Sequence, residues 1–373
     1  MSKEYTSLGL MSGTSGDGID ASIIQSDGDT KYKVIKDKYF EYDKEIYQNI
    51  HDLKGKIHST NDLKKTIKEQ LDLERNITLF HAMAVEEISK NQKIDLIGFH
   101  GQTIYHNSQE KISNQLGDGK LLAQLTKKKI VYNFRQNDIK NGGEGAPLTP
   151  IFHQLLATQY KLNLPVCILN IGGISNITIV DEPVGKFCFT SRDIGPGNCL
   201  IDSWVRKNSK QNYDIDGILA SKGTRNNIIF EQAQELFSNI PNQNTLSFDT
   251  NDFDVSFARG LSLEDGATTL TDFTARIIGA ALFTFLSKVN NKLCKVLVCG
   301  GGRKNPVLIE KIKKNTLENI VIQPIDDYGI NGDFVESQAF AFLAIRSKLN
   351  LPISFPETTG CKKPSTGGII IEF

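Results

Sequence analysis

Twice along the chain a short apolar run breaks at a glycine-rich turn, and a second apolar run follows at once. Tyr5 to Met11 reads as a strand, Ser12-Gly-Thr-Ser-Gly-Asp-Gly-Ile-Asp20 as a turn, and Ala21 to Ser26 as the returning strand. Val166 to Ile171, Gly172-Gly-Ile-Ser-Asn176 and Ile177 to Val180 repeat the arrangement. One hairpin made in each half of a chain points to an internal duplication, of pattern more than of letters.

The rest of the chain alternates strands with helices, which favours an α/β protein. Apolar residues at mostly helical intervals between about 61 and 90 predict one or two amphipathic helices. Ile94 to Phe99 predicts a buried strand ending at His100-Gly-Gln-Thr103, and Lys129 to Phe134 another ending at Arg135. Later come a long helix around Leu270 to Val289, a strand Lys295 to Val298 running into Cys299-Gly-Gly-Gly302, and a helix around Phe334 to Lys348. The polar, glycine-containing stretch near 135–150 suggests a boundary. The expected division is a first lobe over 1–140, rejoined by a C-terminal tail over 349–373, and a second lobe over 141–348.

Composition narrows the partners. Lys+Arg and Asp+Glu are both 43, for a formal net charge of zero, which argues against nucleic acid or an anionic membrane as the main partner. The longest strongly apolar stretch, Ile277 to Leu286, is far below the ~20 residues of a spanning helix, and no span is expected. Six cysteines without a CxxC pair suggest a reducing cytoplasm.

The densest polar turn joins Gly13, Thr14, Ser15, Gly16, Asp17, Gly18, Ile19 and Asp20. Glycines let successive N–H groups face phosphate oxygens, hydroxyls add donors, and an Asp can hold Mg²⁺. A plain turn uses the same residue types. The segment is neither a Walker A loop nor a dinucleotide fingerprint, and its Asp17 breaks the GxSxG elbow. Gly172 and Gly173, and the triple glycine Gly300, Gly301 and Gly302, follow apolar strands directly, where a nucleotide could approach the backbone. In a duplicated α/β chain, three such turns suggest a nucleotide between two lobes.

Asp193 precedes the Gly195-Pro-Gly197 bend, with Asn198 set to cap a helix. A carboxylate there can take a proton from a hydroxyl or a water, or can simply be satisfied by turn amides. His100 suits a hydrogen-bonded structural role better than catalysis. Arg135 can grip a carboxylate or phosphate or form an ordinary salt bridge. Glu336 is either a first-turn acid or a ligand for sugar hydroxyls.

Eight segments occur together and in order: Leu10 to Asp20, His100-Gly-Gln-Thr103, Gln115-Leu-Gly-Asp-Gly119, Phe134-Arg135, Gly142 to Leu148, Asn170 to Asn176, Asp193 to Asn198 and Cys299 to Gly302. As a set, covering residue 8 to Gly368, they resemble the anhydro-N-acetylmuramic acid kinase family. The resemblance implies a two-lobed, actin-like (ribonuclease H-like) kinase fold with duplicated domains and a nucleotide cleft between them. It implies that ATP and water act on one sugar, opening its 1,6-anhydro bridge and phosphorylating O6 to give N-acetylmuramic acid 6-phosphate in cell-wall recycling. Asp193 matches the base that activates water, Gly13 to Asp20 the phosphate loop, and Gly172, Gly173 and Gly300 to Gly302 the other nucleotide turns. Asp20 would help hold Mg²⁺, and Arg135 and Glu336 would bind the sugar. The implied partner is that small sugar, and a homodimer is compatible with the sequence.

The chain also departs from the family pattern. Gly16 replaces a bulkier apolar residue, Asn133 stands where an Asp commonly precedes Phe-Arg, Glu144 replaces a common Gln, and Leu246 to Phe253 occupies the place of a Lys-Ser-Thr-Gly-Arg stretch. Two rivals stay open: a kinase of the same fold acting on an ordinary hexose or hydroxy acid, and a nucleotide-dependent binding module like the heat-shock ATPases.

Overall fold

The computed structural model describes residues 3–182, 185–238, 246–287 and 294–373. The chain divides into two compact units. Unit 1 comprises Met1–Leu162, Gly185–Ser191 and Asp333–Phe373, and unit 2 comprises Asn163–Val184 and Arg192–Gly332.

Unit 1 is built on strands β1 (Tyr5–Ser12), β2 (Gly18–Ser26), β3 (Tyr32–Glu41), β4 (Leu96–Asn107), β5 (Ile112–Leu116) and β6 (Ile130–Tyr132). Their order is β3-β2-β1-β4-β6, with β5 paired to β4. The hairpin β1–β2 is antiparallel, while β1–β4 and β4–β6 are parallel. Unit 2 is built on β7 (Val166–Ile171), β8 (Ile174–Val180), β9 (Phe189–Pro196, in this unit from Arg192 on), β10 (Cys294–Cys299) and β11 (Ile320–Pro324). Its order is β9-β8-β7-β10-β11, again with an antiparallel hairpin first and two parallel pairings after it. The same strand order in both units makes the duplication physical. The fold is a duplicated α/β architecture, in line with the duplicated domains that the resemblance implies.

The boundaries differ from the expected ones at both ends. Helix Pro150–Gln159 belongs to unit 1 because Phe152 packs on Tyr32 and Phe342, and Gln159 exchanges hydrogen bonds with the Tyr32 backbone. Helix Val335–Lys348, buried along almost its whole length, also belongs there. It lies on β1, β2 and β4 so closely that a Cβ at Gly9 would fall 1.9 Å from Ser337 O. The chain therefore re-enters unit 1 at 333, not 349. The tail returns through β12 (Ile369–Ile371), antiparallel to β6.

Two other expectations shift. The strand expected from Ile94 begins at Leu96 and does not end at His100 but runs on to Asn107 through an irregularity in register, with Gly101 at φ 77°. The long helix starts earlier, at Leu263, behind the Ser262 cap, and runs to Leu286; the expected positions 288 and 289 lie outside the described residues. By length and composition this helix could cross a membrane. Its apolar residues, however, fill two core clusters of unit 2: Ala275, Ile278 and Leu282 face the sheet cluster, and Leu270, Phe273 and Ile277 face one centred on Trp204.

Candidate active site

In unit 1 the first glycine turn closes the β1–β2 hairpin and is braced from below. Gln102, fully buried on β4, donates to Gly13 O at 2.9 Å and lies 2.6 Å from Ser12 Oγ through its Oε1. Tyr42 Oη donates to Ser12 Oγ at 3.1 Å, and Lys54 Nζ donates to Thr14 O at 2.9 Å. Within the turn Gly16 N donates to Gly13 O, and Ser15 Oγ donates to Asp17 Oδ1. Gly13, Thr14, Ser15, Asp17 and Asp20 stay partly exposed, whereas Gly16 and Gly18 are buried. Ile19 is fully buried in the core, within β2, and offers no exposed surface to a ligand. Gly16, the departure from the family pattern, adopts φ 64°, and a Cβ there would fall 2.8 Å from Ile50 Cγ2. Ile50 fills the space that a larger residue at 16 would need.

Arg135, His100 and Glu336 meet in one corner of unit 1. Arg135 Nη1 donates to Gly145 O and Nη2 to His100 Nε2, both at 2.8 Å. A guanidinium only donates, so Nε2 is the acceptor, and His100 Nδ1 donates to Gly101 O at 2.8 Å. Burial and the neighbouring Arg135 charge hold His100 well below the usual imidazole pKa. It is a neutral positioning group, as a structural role requires. Glu336, in the first turn of Val335–Lys348, has its carboxyl pushed up by burial and drawn back by Arg135. The Gly142 to Leu148 segment is fixed by Asp138, which accepts from Gly145 N and Thr359 Oγ1, both at 2.7 Å.

Unit 2 brings its two glycine turns and the bend after Asp193 into one cluster. Gly197 N and Cys199 N donate to Gly173 O, and Asn198 N to Gly172 O, at 2.8 to 3.1 Å. Asn198 sits at the N-cap position of helix Cys199–Asn208 but makes no side-chain cap bond. Its backbone is tied to Gly172 instead, and its amide Nδ2 is the nearest neighbour of a Cβ placed at Gly301. Gly300 turns the chain at φ 79°, and Arg303 braces the triple glycine by donating to Gly300 O and, through two nitrogens, to Asp326.

Asp193 is 6% exposed on β9. Its backbone N donates to Leu246 O at 2.8 Å, and its Oδ2 accepts from Phe248 N at 2.9 Å. The segment that departs most from the family pattern is thus the one that orients this carboxylate, and it does so through its backbone. Beside it Asp249 and Asp252 form a reciprocal cap, and burial with the Asp249 charge pushes the Asp252 carboxyl up to about 6.

The glycines separate by what the fold demands of them. Gly16 and Gly300 have left-handed backbone, and Gly18 and Gly302 would clash, at 2.4 Å from Phe40 O and 2.2 Å from Ile171 Cγ2. Gly13, Gly172 and Gly301 have neither constraint: their nearest neighbours would be 3.7, 3.6 and 3.9 Å from an added Cβ. Each turn therefore holds one glycine that the packing of the chain itself does not need.

Among the described residues no three His, Cys, Asp or Glu gather as a metal cage. Magnesium bound with a nucleotide takes one or two carboxylates, phosphate oxygens and waters. Asp20, partly exposed and paired with Met11 beside the turn, is a single carboxylate that fits this mode.

Sequence reasoning missed Gln102 as the brace of the first turn, Lys54 on the loop carbonyl, and the backbone of 246–248 around Asp193. The HGQT letters marked Gln102, but nothing linked them to Ser12.

A family model described as anhydro-N-acetylmuramic acid kinase matches residues 5–372. A protein of that name from Pelagibacter ubique (strain HTCC1062) is 55% identical over 378 residues, covering 100% of both chains. Another, from Zymomonas mobilis, is 38% identical and covers 97% of this chain and 98% of its own. Among solved structures, a ROK family glucokinase from Streptomyces griseus aligns over 91% of this chain and 98% of its own, at 12% identity and a TM-score of 0.39.

Proposed function

The chain belongs to the anhydro-N-acetylmuramic acid kinase family and is a kinase, and on that premise we propose that it couples opening of the 1,6-anhydro ring to phosphorylation of O6. ATP and anhydro-N-acetylmuramic acid are the substrates, and N-acetylmuramic acid 6-phosphate and ADP the products. The reaction serves peptidoglycan recycling, and a reducing cytoplasm suits the six free cysteines.

The observation that supports this reading is the set of glycines at 13, 172 and 301, which the chain's own packing leaves open. Glycine where no internal contact requires it is expected where a ligand lies against the backbone. The Gly13 to Asp20 turn, Gly172 and Gly173, and Gly300 to Gly302 then receive the ATP phosphates through backbone N–H groups. Magnesium, held by Asp20 and phosphate oxygens, would supply neutralising charge for the phosphoryl group. Arg135, kept in place by Gly145 O and His100, and Glu336 hold the sugar. Asp193 takes a proton from water as its oxygen bonds to the anomeric carbon. The bond from that carbon to O6 breaks, O6 bonds to the γ-phosphorus, and the bond to ADP breaks. The Phe248 amide on Oδ2 fixes the carboxylate in one orientation for that proton transfer.

The test is a substrate panel with ATP and the purified chain, scored by ADP release. Anhydro-N-acetylmuramic acid supports turnover, whereas the opened sugar and ordinary hexoses do not. Equal turnover on a hexose without the anhydro bridge would overturn the reading.

A further inference from the structure

The amide that holds the Asp193 carboxylate belongs to the main chain, so its place is set by whatever shapes the segment around Phe248. In unit 2 that segment runs from Leu246 through Ser247, Phe248 and Asp249 into the 3-10 turn Thr250–Asp252. Asp193 meets it at two points, with its N on Leu246 O and its Oδ2 on Phe248 N. Those bonds fix the carboxylate only as far as the segment itself is fixed.

Asp252 supplies that stiffness. Its Oδ2 accepts at 2.8 Å from Asp249 N, the amide next along the chain from the one on Asp193. In return Asp249 Oδ1 accepts from Asn251 N at 2.9 Å, and Asp252 N donates to Asp249 O at 3.1 Å. This reciprocal cap closes the chain on itself directly after Phe248. Aromatic packing holds the cap at both ends: the Phe248 ring, 7% exposed, lies 5.6 Å from that of Phe253, which packs on the Trp204 cluster.

The cap asks for an oxygen at position 252, because a carboxylate and a carboxamide can both accept from Asp249 N. The glycine turns of unit 2 are held by other bonds, those of Gly197 N and Cys199 N to Gly173 O and of Arg303 to Gly300 O. A change at 252 therefore reaches Asp193 by a route that does not pass through the nucleotide turns.

We propose that Asp252 is a positioning residue for the reaction: its cap on Asp249 N keeps the Phe248 amide aimed at Asp193, and so keeps that carboxylate in the orientation from which it takes the proton of water. The inference rests on the reading of Asp193 as the base.

The test is a double-mutant cycle on the full chain, with wild type, Asp252→Ala, Asp193→Asn and the double variant assayed for ADP release with ATP and anhydro-N-acetylmuramic acid. Asp252→Ala should lower kcat by about ten-fold, inside the ~10²-fold that a displacement of about 1 Å costs, at an unchanged KM for ATP and unchanged stoichiometry of ADP binding. Asp252→Asn, which keeps an acceptor oxygen, should restore most of the loss. In the Asp193→Asn background Asp252→Ala should cost nothing further, since no base is left to orient. If Asp252→Ala does not fold, Asp252→Ser, whose oxygen sits one bond nearer its own backbone, is read in its place. Wild-type kcat in the variant, the same loss in both Asp193 backgrounds, a change confined to the KM for ATP, or Asp252→Asn as slow as Asp252→Ala would each overturn the proposal. Full turnover by Asp193→Asn alone would instead overturn the reading of Asp193 as the base, and this inference with it.

Discussion

Gly301→Ala separates folding from nucleotide binding. At this position the backbone lies in a 3-10 turn with ordinary φ, and the nearest atom to an added Cβ is Asn198 Nδ2 at 3.9 Å. Replacing Gly by Ala at a compatible site narrows the unfolded ensemble and stabilises by about 0.4–1 kcal/mol. Thermal unfolding should then shift upward by no more than a few degrees. If ATP phosphates lie against this turn, the methyl group occupies the approach, and a displacement of about 1 Å at a reacting group costs about 10²-fold in rate. Gly302→Ala supplies the contrast, because its Cβ would sit 2.2 Å from Ile171 Cγ2. That overpacking should destabilise by about 1–3 kcal/mol. The assay pairs thermal melts with ADP release over an ATP titration. Gly301→Ala with an unchanged or slightly raised melt but a raised KM for ATP or a much lower kcat is expected. Wild-type kcat and KM in Gly301→Ala would refute the argument from unforced glycines.

Three further outcomes follow from the same geometry. Asp193→Asn should keep ATP affinity, read by nucleotide titration, and lower turnover by about 10² or more, the range for losing a general base; unchanged turnover removes the residue from its role. Gln102→Leu removes one partner each from Ser12 Oγ, which keeps Tyr42 Oη and Gly18 O, and from Gly13 O, which keeps Gly16 N, so it should cost about 0.5–1.5 kcal/mol per lost bond in denaturant melts and raise the KM for ATP; an unaltered KM would mean the brace does not set the loop. Acid should weaken the fold below pH ~6.5. Burial lowers His81 to about 4 and His106 and His153 to about 3, and His100 is lowered as well. With folded pKa values depressed, the unfolded chain takes up protons first, and each histidine removes about 1.4 kcal/mol per pH unit as pH falls from 6.5 toward its folded value. Asp252, raised to about 6, acts oppositely, since its contribution fades as pH rises from 3.8 through 6. His153→Gln should flatten the acid slope of stability by one histidine's share, and an identical slope contradicts the assignment.

Both hairpins were legible because a strand that must stay buried and a turn that must reverse use different residues. The glycine turns follow β1, β7 and β10 as their letters predict. What escaped was carried by atoms that leave no letter, or by partners far apart. The Phe248 amide holds Asp193, and any residue but proline supplies an amide. Gln102 reaches Ser12 across a sequence separation of 90. His100-Gly-Gln-Thr reads as a loop because it is polar, yet the strand continues there, since its polar groups are satisfied inside unit 1 by Arg135, Gly13 and Ser12. The boundary near 140 follows glycine content, whereas the observed one follows aromatic packing of Phe152 on Phe342, which no local pattern reveals.

Coupling of ring opening to phosphorylation is tested most directly by following both in one mixture. Mass spectrometry of a time course with ATP and anhydro-N-acetylmuramic acid should show product that has gained one phosphoryl group and one water together, matched one for one by ADP, with no opened, unphosphorylated sugar at any time. Opened sugar appearing without ATP, or a phosphorylated sugar that keeps its anhydro bridge, would contradict the account.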